Sequence, residues 1–283
     1  MRRLLRYLLA ALVILLLLAV AIRERYAPRL TLYLRDLLSP PPPPLTASLN
    51  DHLHLRLYSN TRPHVGKIAS LQKGLVLVHD GRELIEEGYG FGLPIIEVAG
   101  VAHVSRHANT FVTRHDGRLN LVKSYRIDVV DRPTRPFREK YADVDPLGTV
   151  VFTYTVRAPD AIDVAVDFKG LKVAWDRAYL MNEQGARRFT RYLSPAGEEV
   201  DADAMGIWEE TTAPFGCWRA PQSGVQFCVE AAAGEPGFVG RERYRQYNWL
   251  GFYSLSWSGI DVMVSAPLDT YTYTIRVREG LSP

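Results

Sequence analysis

Apolar and polar residues alternate one by one along most of this chain, and no other feature limits its fold as strongly. Residues 52–58 read HLHLRLY, and the same alternation returns in residues 162–168 and 271–277. Successive side chains of a strand point to opposite faces, so this period of two predicts half-buried β-strands. Helical spacing is confined to residues 183–193, where Gly185 weakens the prediction of a helix. We therefore expect an all-β fold, a single antiparallel β-sandwich or supersandwich-like domain.

Two Asp-Gly pairs predict where strands turn back. Asp80-Gly81 separates residues 75–79 from 82–87, and Asp116-Gly117 separates residues 110–114 from 119–130. Asp and Gly tolerate the positive φ angles that two-residue hairpin turns require. A hairpin is therefore expected at each pair. No internal repeat and no second linker divides residues 46–283, which we assign to one domain.

The two cysteines lie at opposite ends of a third predicted hairpin. The sequence CWRAPQSGVQFC turns at residues 221–224, which places Cys217 directly opposite Cys228. Opposed Cα atoms of antiparallel strands lie about 4.5–5.5 Å apart, within the range that a disulfide needs. No zinc partner motif accompanies this spacing, so a disulfide is favoured over two free thiols and over metal ligation. A disulfide indicates an oxidising compartment.

The N-terminal segment predicts where the domain lies. Residues 7–22 carry no charge, and arginines flank them on both sides. This pattern is typical of a membrane anchor that contacts lipid and keeps its first arginines in the cytoplasm. We assign residues 1–26 to the anchor and expect a single-pass protein of the cell membrane, with its C-terminal domain outside the cytoplasm. The alternative is cleavage near Ala21 and secretion, because small residues precede that position.

Residues 27–45 link the predicted anchor to the domain. They begin with an amphipathic stretch, PRLTLYLRDLL, and they contain five consecutive prolines. The amphipathic stretch is typical of a helix that lies on a membrane surface. Consecutive prolines adopt polyproline II, so they form a stiff spacer of roughly 16 Å. We expect this spacer to lift the domain off the bilayer.

The positive net charge of +3 comes from the anchor. The arginines of residues 1–26 outnumber the single glutamate there, and the rest of the chain is close to neutral. No long run of Lys or Arg interrupts it. A nucleic-acid partner therefore lacks an electrostatic basis.

Candidate catalytic residues lie in residues 86–107, EEGYGFGLPIIEVAGVAHVSRH. Interleaved glycines and aromatics let a backbone approach a ligand closely or turn a corner of the sheet. Glu97 and His103 are six residues apart, so in one uninterrupted strand they share a face and form a candidate acid/base pair. A bend or bulge at Gly100 would instead bring them close together. A Gly-rich bend between two strands is the simpler interpretation.

A second group of candidates is aromatic. Rings crowd residues 244–257, and their flat faces suit sugar rings as well as a hydrophobic core. Core packing is the simpler interpretation of this group. The candidate binding residues of both regions are Tyr89, Phe91, Arg106, His107, Trp249 and Trp257.

Two resemblances bear on function. The size and strand-rich layout of residues 50–280 resemble galactose-mutarotase-like sandwich domains. This resemblance implies a carbohydrate-active enzyme that would use Glu97 or Glu209 with a histidine as acid and base. None of the catalytic motifs of those domains is matched here, and a fold alone does not transfer an activity.

The H-x-H spacing of His52 and His54 resembles the metal site of jelly-roll cupins. The glutamate and the third histidine of that pattern are missing, because position 58 is Tyr58 and the next acid is Glu83. The sequence therefore predicts no metal site and no cofactor.

Two classes of function remain open from the sequence. The first is an anchored extracytoplasmic module, which binds a glycan or a membrane-protein partner or serves as a scaffold. The second is a carbohydrate-active enzyme of the mutarotase-like sandwich type. A concave face that carries Glu97, His103 and an aromatic residue together would favour the enzyme.

Overall fold

The computed structural model describes residues 12–16, 43–59, 73–85, 90–131, 141–248 and 251–280. Residues 12–16 are helical and exposed. No helix in these ranges is both long and apolar enough to cross a membrane. The rest of the predicted anchor, the predicted cleavage region near Ala21 and most of the linker lie outside the described residues.

Antiparallel strands make up nearly all of the described chain, which confirms the all-β prediction. The one short 3-10 helix in these ranges is Ala202–Ala204. The described strands are β1 (Leu45–Ser48), β2 (Leu53–Leu57), β3 (Leu75–His79), β4 (Arg82–Glu83), β5 (Phe91–Val98), β6 (Val101–His115), β7 (Arg118–Asp131), β8 (Tyr141–Arg157), β9 (Ala161–Asp167), β10 (Arg177–Gln184), β11 (Arg191–Leu193), β12 (Glu199–Asp201), β13 (Trp208–Thr212), β14 (Cys217–Ala220), β15 (Val225–Glu230), β16 (Pro236–Asn248), β17 (Gly251–Ser265) and β18 (Thr270–Arg278).

Backbone pairings divide these strands into two layers. Layer one has the order β1-β2-β3-β5-β10-β17-β16-β13, with β4 forming a short hairpin on β3. Layer two has the order β6-β7-β8-β9-β18-β15-β14-β11-β12. Residues 96–98 of β5 pair with residues 101–103 of β6 and join the two layers.

The core lies between the layers. Phe91 of layer one packs its ring 5.1 Å from the ring of Phe227 in layer two. The Trp218 Nε1–H of layer two donates a hydrogen bond of 2.8 Å to the Gly259 carbonyl of layer one. The side chains of Phe91, Phe227 and Trp218 are all fully buried. Burial of such apolar area is the main stabilising contribution to the domain.

The predicted hairpins are present. β3 turns into β4 at Asp80-Gly81, and β6 turns into β7 at Asp116-Gly117. The φ angles are 47° and 76° at the first pair, and 48° and 74° at the second. The left-handed backbone of a tight hairpin turn therefore explains both Asp-Gly pairs.

The cysteine hairpin has the predicted register. Cys217 pairs with Cys228 across β14 and β15, and Trp218 pairs with Phe227. The two sulfurs form a disulfide, with Cα atoms 4.3 Å apart. The spacing of the cysteines and the position of the turn were sufficient to predict this bridge.

The helix weakly indicated at residues 183–193 is absent, so that prediction was wrong. Glu183 and Gln184 complete β10, and a single turn follows, in which the Arg188 and Phe189 amides donate to the Gly185 carbonyl. The turn does not continue into a helix. Phe189 at its end is fully buried, with its ring 4.9 Å from that of Phe227. Tertiary packing thus outweighs local helix propensity here.

Lys123 of β7 is fully buried. Its Nζ donates hydrogen bonds to the carbonyls of Tyr58 and Lys73, which flank residues 60–72. Burial, together with the charge of Lys73, lowers the pKa of Lys123 well below its usual value. These contacts give Lys123 a structural role in holding the ends of β2 and β3 to layer two.

Candidate functional site

Glu97 and His103 lie on two neighbouring strands rather than along one strand. β5 ends before the turn at Ala99-Gly100, and β6 begins after it. The register pairs Glu97 with Ala102 and Ile96 with His103, so the side chains of Glu97 and His103 point to opposite faces. The structure therefore does not bring this pair together, because the turn breaks the strand on which the spacing argument depended.

Glu97 instead belongs to an ion pair on layer one. The Arg177 Nε lies 3.3 Å from Glu97 Oε1, and the Tyr179 hydroxyl lies 3.5 Å from Glu97 Oε2. The His103 Nδ1 hydrogen-bonds the Val101 carbonyl on the other side of the turn. Neither residue contacts the other.

The remaining predicted residues are dispersed. Phe91 is buried in the core, whereas His107 Nδ1 lies 2.6 Å from Oδ2 of the nearly buried Asp128. Glu209 is exposed and accepts a hydrogen bond of 2.9 Å from the Gly206 amide. Tyr89, Trp249 and the side chain of Arg106 lie outside the described residues. His52 hydrogen-bonds Asp80 and His54 hydrogen-bonds Ser48, so each histidine has a separate partner.

Trp257 is a predicted binding residue that lies beside other aromatic and acidic side chains. It lies on the outer face of layer one, the face turned away from the core. Three cross-strand rows define this part of the face. They are Glu183–Gly259–Gly240–Trp208, Asp261–Phe238–Glu210 and Trp257–Glu242.

Four rings form a continuous aromatic strip on this face, Tyr179, Phe238, Trp208 and Trp257. Ring centroids lie 5.8 Å apart for Tyr179 and Phe238 and 6.4 Å apart for Phe238 and Trp208. Trp208 stacks on Trp257 at 4.1 Å. Trp257 is buried, while Trp208 is 37 % exposed and the adjacent Ile207 is 59 % exposed. Successive ring planes are inclined by 47°, 74° and 22°, so the strip is a stepped apolar surface whose most exposed ring is Trp208.

Three acids lie on the same face and form the acidic cluster, Glu183, Asp261 and Glu242. Glu183 and Asp261 are buried, and both carboxyl oxygens of Glu183 lack a hydrogen-bond partner. Trp257 Nε1–H donates to Glu242 Oε2 at 3.2 Å, so the cluster is connected to the aromatic strip. A buried carboxyl group without partners is disfavoured as an anion and instead takes up a proton.

Burial determines the direction in which the pKa values of Glu183 and Asp261 are shifted. Burial, reinforced by the charges of Asp261 and Glu242, raises the pKa of Glu183 well above its usual value. Burial also raises the pKa of Asp261 to about 8, although the Asn182 amide opposes that rise. Both groups therefore favour the protonated form at neutral pH. They are suited to donate a proton or a hydrogen bond.

A β-bulge positions Asp261. The register of β10 against β5 shifts between Met181 and Asn182, opposite Gly92. The shifted Asn182 amide donates a hydrogen bond of 3.0 Å to Asp261 Oδ1, and the Asn182 side chain accepts one of 2.9 Å from the Tyr273 hydroxyl. The bulge thus connects the acidic cluster to layer two. Bulges commonly redirect side chains at functional sites.

Gly259 makes room for Glu183, and Gly240 makes room for the neighbouring backbone at Ile207. A Cβ atom on Gly259 would lie 2.7 Å from Glu183 Cγ, and one on Gly240 would lie 1.9 Å from the Ile207 carbonyl oxygen. Isolated glycines within strands often mark such a close approach. These glycines were the sequence signal that could have indicated the cluster. The inserted residue of the bulge is Gly92 on β5. Glu183 and Asp261 lie on the outer face of their strands, where alternation already places polar residues, so the pattern did not single them out.

The acidic cluster is not arranged as a metal site. No group of three or more His, Cys, Asp or Glu residues in the described part of the chain could hold a metal ion. No described histidine hydrogen-bonds Glu183, Asp261 or Glu242. The chemistry available there is that of carboxyl groups next to aromatic rings.

No protein-family model matches the sequence, and no curated protein is similar to it in sequence. Among solved structures, the chain is similar to heparinase III, with 8 % identity and a TM-score of 0.45 over 82 % of this chain and 34 % of that one. It is also similar to a 4-alpha-glucanotransferase from Thermococcus litoralis, with 9 % identity and a TM-score of 0.45 over 84 % of this chain and 40 % of that one.

A third similar structure is a heparan sulfate lyase from Pedobacter heparinus, with 8 % identity and a TM-score of 0.44 over 82 % of this chain and 34 % of that one. The chain spans about a third to two fifths of the length of these enzymes. Similarity at this level supports no conclusion about activity.

Proposed function

We propose that the domain is a membrane-anchored, extracytoplasmic glycan-binding module and that the aromatic strip is its binding surface. The observation that carries this proposal is the continuous chain of ring contacts from Tyr179 to Trp257 on the outer face of layer one. Exposed apolar surface of this kind is disfavoured unless a partner covers it. Flat rings offer the apolar face of a sugar a matching surface.

Polar groups border the strip, as a sugar ligand requires. The Arg177–Glu97 ion pair lies on the same outer face near Tyr179, and Glu210 lies opposite Phe238 in the register. These groups offer hydrogen-bond donors and acceptors to sugar hydroxyls. Ligand sites commonly combine an apolar surface with a few placed polar groups in this way.

A glycan array probed with the detergent-solubilised full chain tests the proposal. The wild-type protein should retain a defined set of oligosaccharides, and Trp208→Ala should lose them. Phe111→Ala is the matched control, because Phe111 is an exposed aromatic residue on the distant β6–β7 hairpin. Absence of any retained glycan, or equal retention by both variants, would contradict glycan binding at the strip.

A second candidate function is cleavage of a glycosidic bond. The specific observation that favours it is Glu183, a buried carboxyl group without hydrogen-bond partners beside two further acids. Protonated Glu183 would donate its proton to the glycosidic oxygen as the bond to the anomeric carbon breaks. Water would add to that carbon and transfer a proton to the Glu242 carboxylate.

Cleavage at this site requires that a sugar can reach Glu183. Glu183 is fully buried, so the side chains that cover it must move before a sugar can reach it. Glu183 and Glu242 replace the sequence candidates Glu97 and Glu209 as the acids of this proposal. The separation of Glu97 from His103 is the reason for the replacement.

Release of reducing ends from the retained glycans tests the second candidate. Glu183→Gln should abolish the release, whereas Glu198→Gln should leave it intact, since Glu198 is exposed in the turn between β11 and β12 of layer two. Binding by the wild-type protein without any release would refute the enzyme and support the binding module.

A further inference from the structure

A cavity lies at the edge of the two layers, away from the aromatic strip. Its volume is about 420 Å³. Three separate turns line it, namely the β3–β4 hairpin, the turn after β10 and the turn between β14 and β15. The polar groups that line it are His79, Asp80, Arg82, Arg188, Gln222 and Ser223. A cavity of this size accommodates a small molecule.

Two guanidinium groups of this cavity lack direct partners. Within the described residues, neither Arg82 nor Arg188 forms a side-chain hydrogen bond or an ion pair. Both residues are exposed to solvent at the cavity. Guanidinium groups bind carboxylate and phosphate oxygens through paired N–H groups, so two unpaired ones favour an oxyanion.

Two carboxylates lie at or near the cavity, Asp80 and Glu279, and both face histidine side chains. Asp80 Oδ1 lies 2.9 Å from His52 Nδ1, and Asp80 Oδ2 lies 3.7 Å from His79 Nδ1. Glu279 Oε2 lies 3.6 Å from His79 Nε2. The hydrogen bond from His52 and the charges of His79 and Arg82 lower the pKa of Asp80, so Arg82 interacts with this carboxylate without a direct contact. Its guanidinium N–H groups still lack a hydrogen-bond acceptor among the described residues, as do those of Arg188.

The third wall supplies neutral donors on a stable support. Gln222 and Ser223 lie in the turn that the Cys217–Cys228 disulfide closes. The Ser223 hydroxyl lies 3.4 Å from the Ala220 carbonyl, so its contact within the protein is long. An amide and a hydroxyl group complete the donor set that a phosphate or sulfate group requires.

From this arrangement we propose that the cavity binds an oxyanion of the phosphate or sulfate type. Arg82 and Arg188 contact its charged oxygens, and Ser223 and Gln222 donate the remaining hydrogen bonds. The oxyanion is either a free ion or the charged group of a phosphorylated or sulfated small molecule. This site is separate from the aromatic strip, and it does not depend on glycan binding there.

Isothermal titration of the detergent-solubilised full chain tests the site at constant ionic strength. The probes are inorganic phosphate, glucose 6-phosphate and glucose, which distinguish a free ion from a group carried by a sugar. We expect saturable binding of at least one phosphate probe and none of glucose. Arg82→Gln and Arg188→Gln should each weaken that binding about tenfold or more.

Two further variants make the test specific. Ser223→Asp places a negative charge in the cavity from a different turn and should abolish phosphate binding. Arg114→Gln removes an exposed arginine from the tip of the β6–β7 hairpin and should leave binding unchanged. Absence of saturable phosphate binding, or equal binding by the wild type and all three cavity variants, would overturn the proposal.

Discussion

At the scale of single residues, Glu183 has an environment that disfavours its charged form. It is fully buried, and neither carboxyl oxygen has a hydrogen-bond partner. A natural protein rarely retains such a group without a function, because burial of an unpaired polar group destabilises the fold. Its neighbour Asp261 shares that environment and has one amide donor, Asn182.

Asp261 gives a prediction for the pH dependence of stability. Its pKa of about 8 in the folded protein lies above the value of about 3.9 that aspartate has in an unfolded chain. Between these values the folded state retains a proton that the unfolded state has lost. The free energy of unfolding should therefore fall as pH rises from 5 to 8, by on the order of 1 kcal/mol per pH unit.

Urea unfolding at pH 5, 6.5 and 8 measures this effect. Asp261→Asn removes the titrating group, so the fall with pH should be smaller in this variant than in the wild type. Asp269→Asn, which changes an exposed aspartate, serves as the control and should retain the wild-type pH dependence. Equal pH dependence in the wild type and Asp261→Asn would show that Asp261 titrates at its ordinary value.

At the scale of elements, local pairings were predictable and distant pairings were not. The turns at Asp80-Gly81 and Asp116-Gly117 and the Cys217–Cys228 register each depend on adjacent stretches of sequence. The acidic cluster depends on the pairing of β10 with β17, whose residues are about 80 positions apart in the chain. A pattern within one strand contains no information about such a neighbour. Glu97 and His103 are separated for a related reason, since the turn at Ala99-Gly100 places them on two neighbouring strands with their side chains on opposite faces.

The contact between β10 and β17 gives a second prediction. Gly259→Ala should destabilise the protein, because the new Cβ would lie 2.7 Å from Glu183 Cγ. Glu183→Ala removes the clashing atom, so the double variant should be more stable than the two separate effects would predict. Chemical unfolding of the four proteins completes a double-mutant cycle. Gly206→Ala is the control, because its nearest neighbouring atom would be 3.5 Å away. Additive effects would show that Gly259 and Glu183 do not interact.

The β14–β15 hairpin gives a third prediction. Cys217→Ser with Cys228→Ser should lower the melting temperature by several degrees, because the bridge closes a loop of about twelve residues and contributes roughly 2–3 kcal/mol. Scanning calorimetry of oxidised wild type and double variant measures the change. Two titratable thiols in the unreduced native protein would show that the bridge does not form.

At the scale of the whole molecule, the sequence predicts an anchor, a stiff spacer and one folded domain on the far side of the membrane. The disulfide agrees with an oxidising compartment, since such bonds are rare in the cytosol. Protease added to intact spheroplasts should therefore digest residues 46–283. Protection of the domain until detergent is added would place it in the cytoplasm and refute this orientation.

The central claim is that the outer face of layer one binds a glycan through the aromatic strip. The most direct measurement is the calorimetric dissociation constant of the best-retained oligosaccharide for the wild type, Trp208→Ala and Phe111→Ala. Loss of ring stacking at the exposed Trp208 should weaken binding about tenfold or more, since tenfold corresponds to about 1.4 kcal/mol. Phe111→Ala should bind like the wild type. A dissociation constant unchanged by Trp208→Ala would contradict the account.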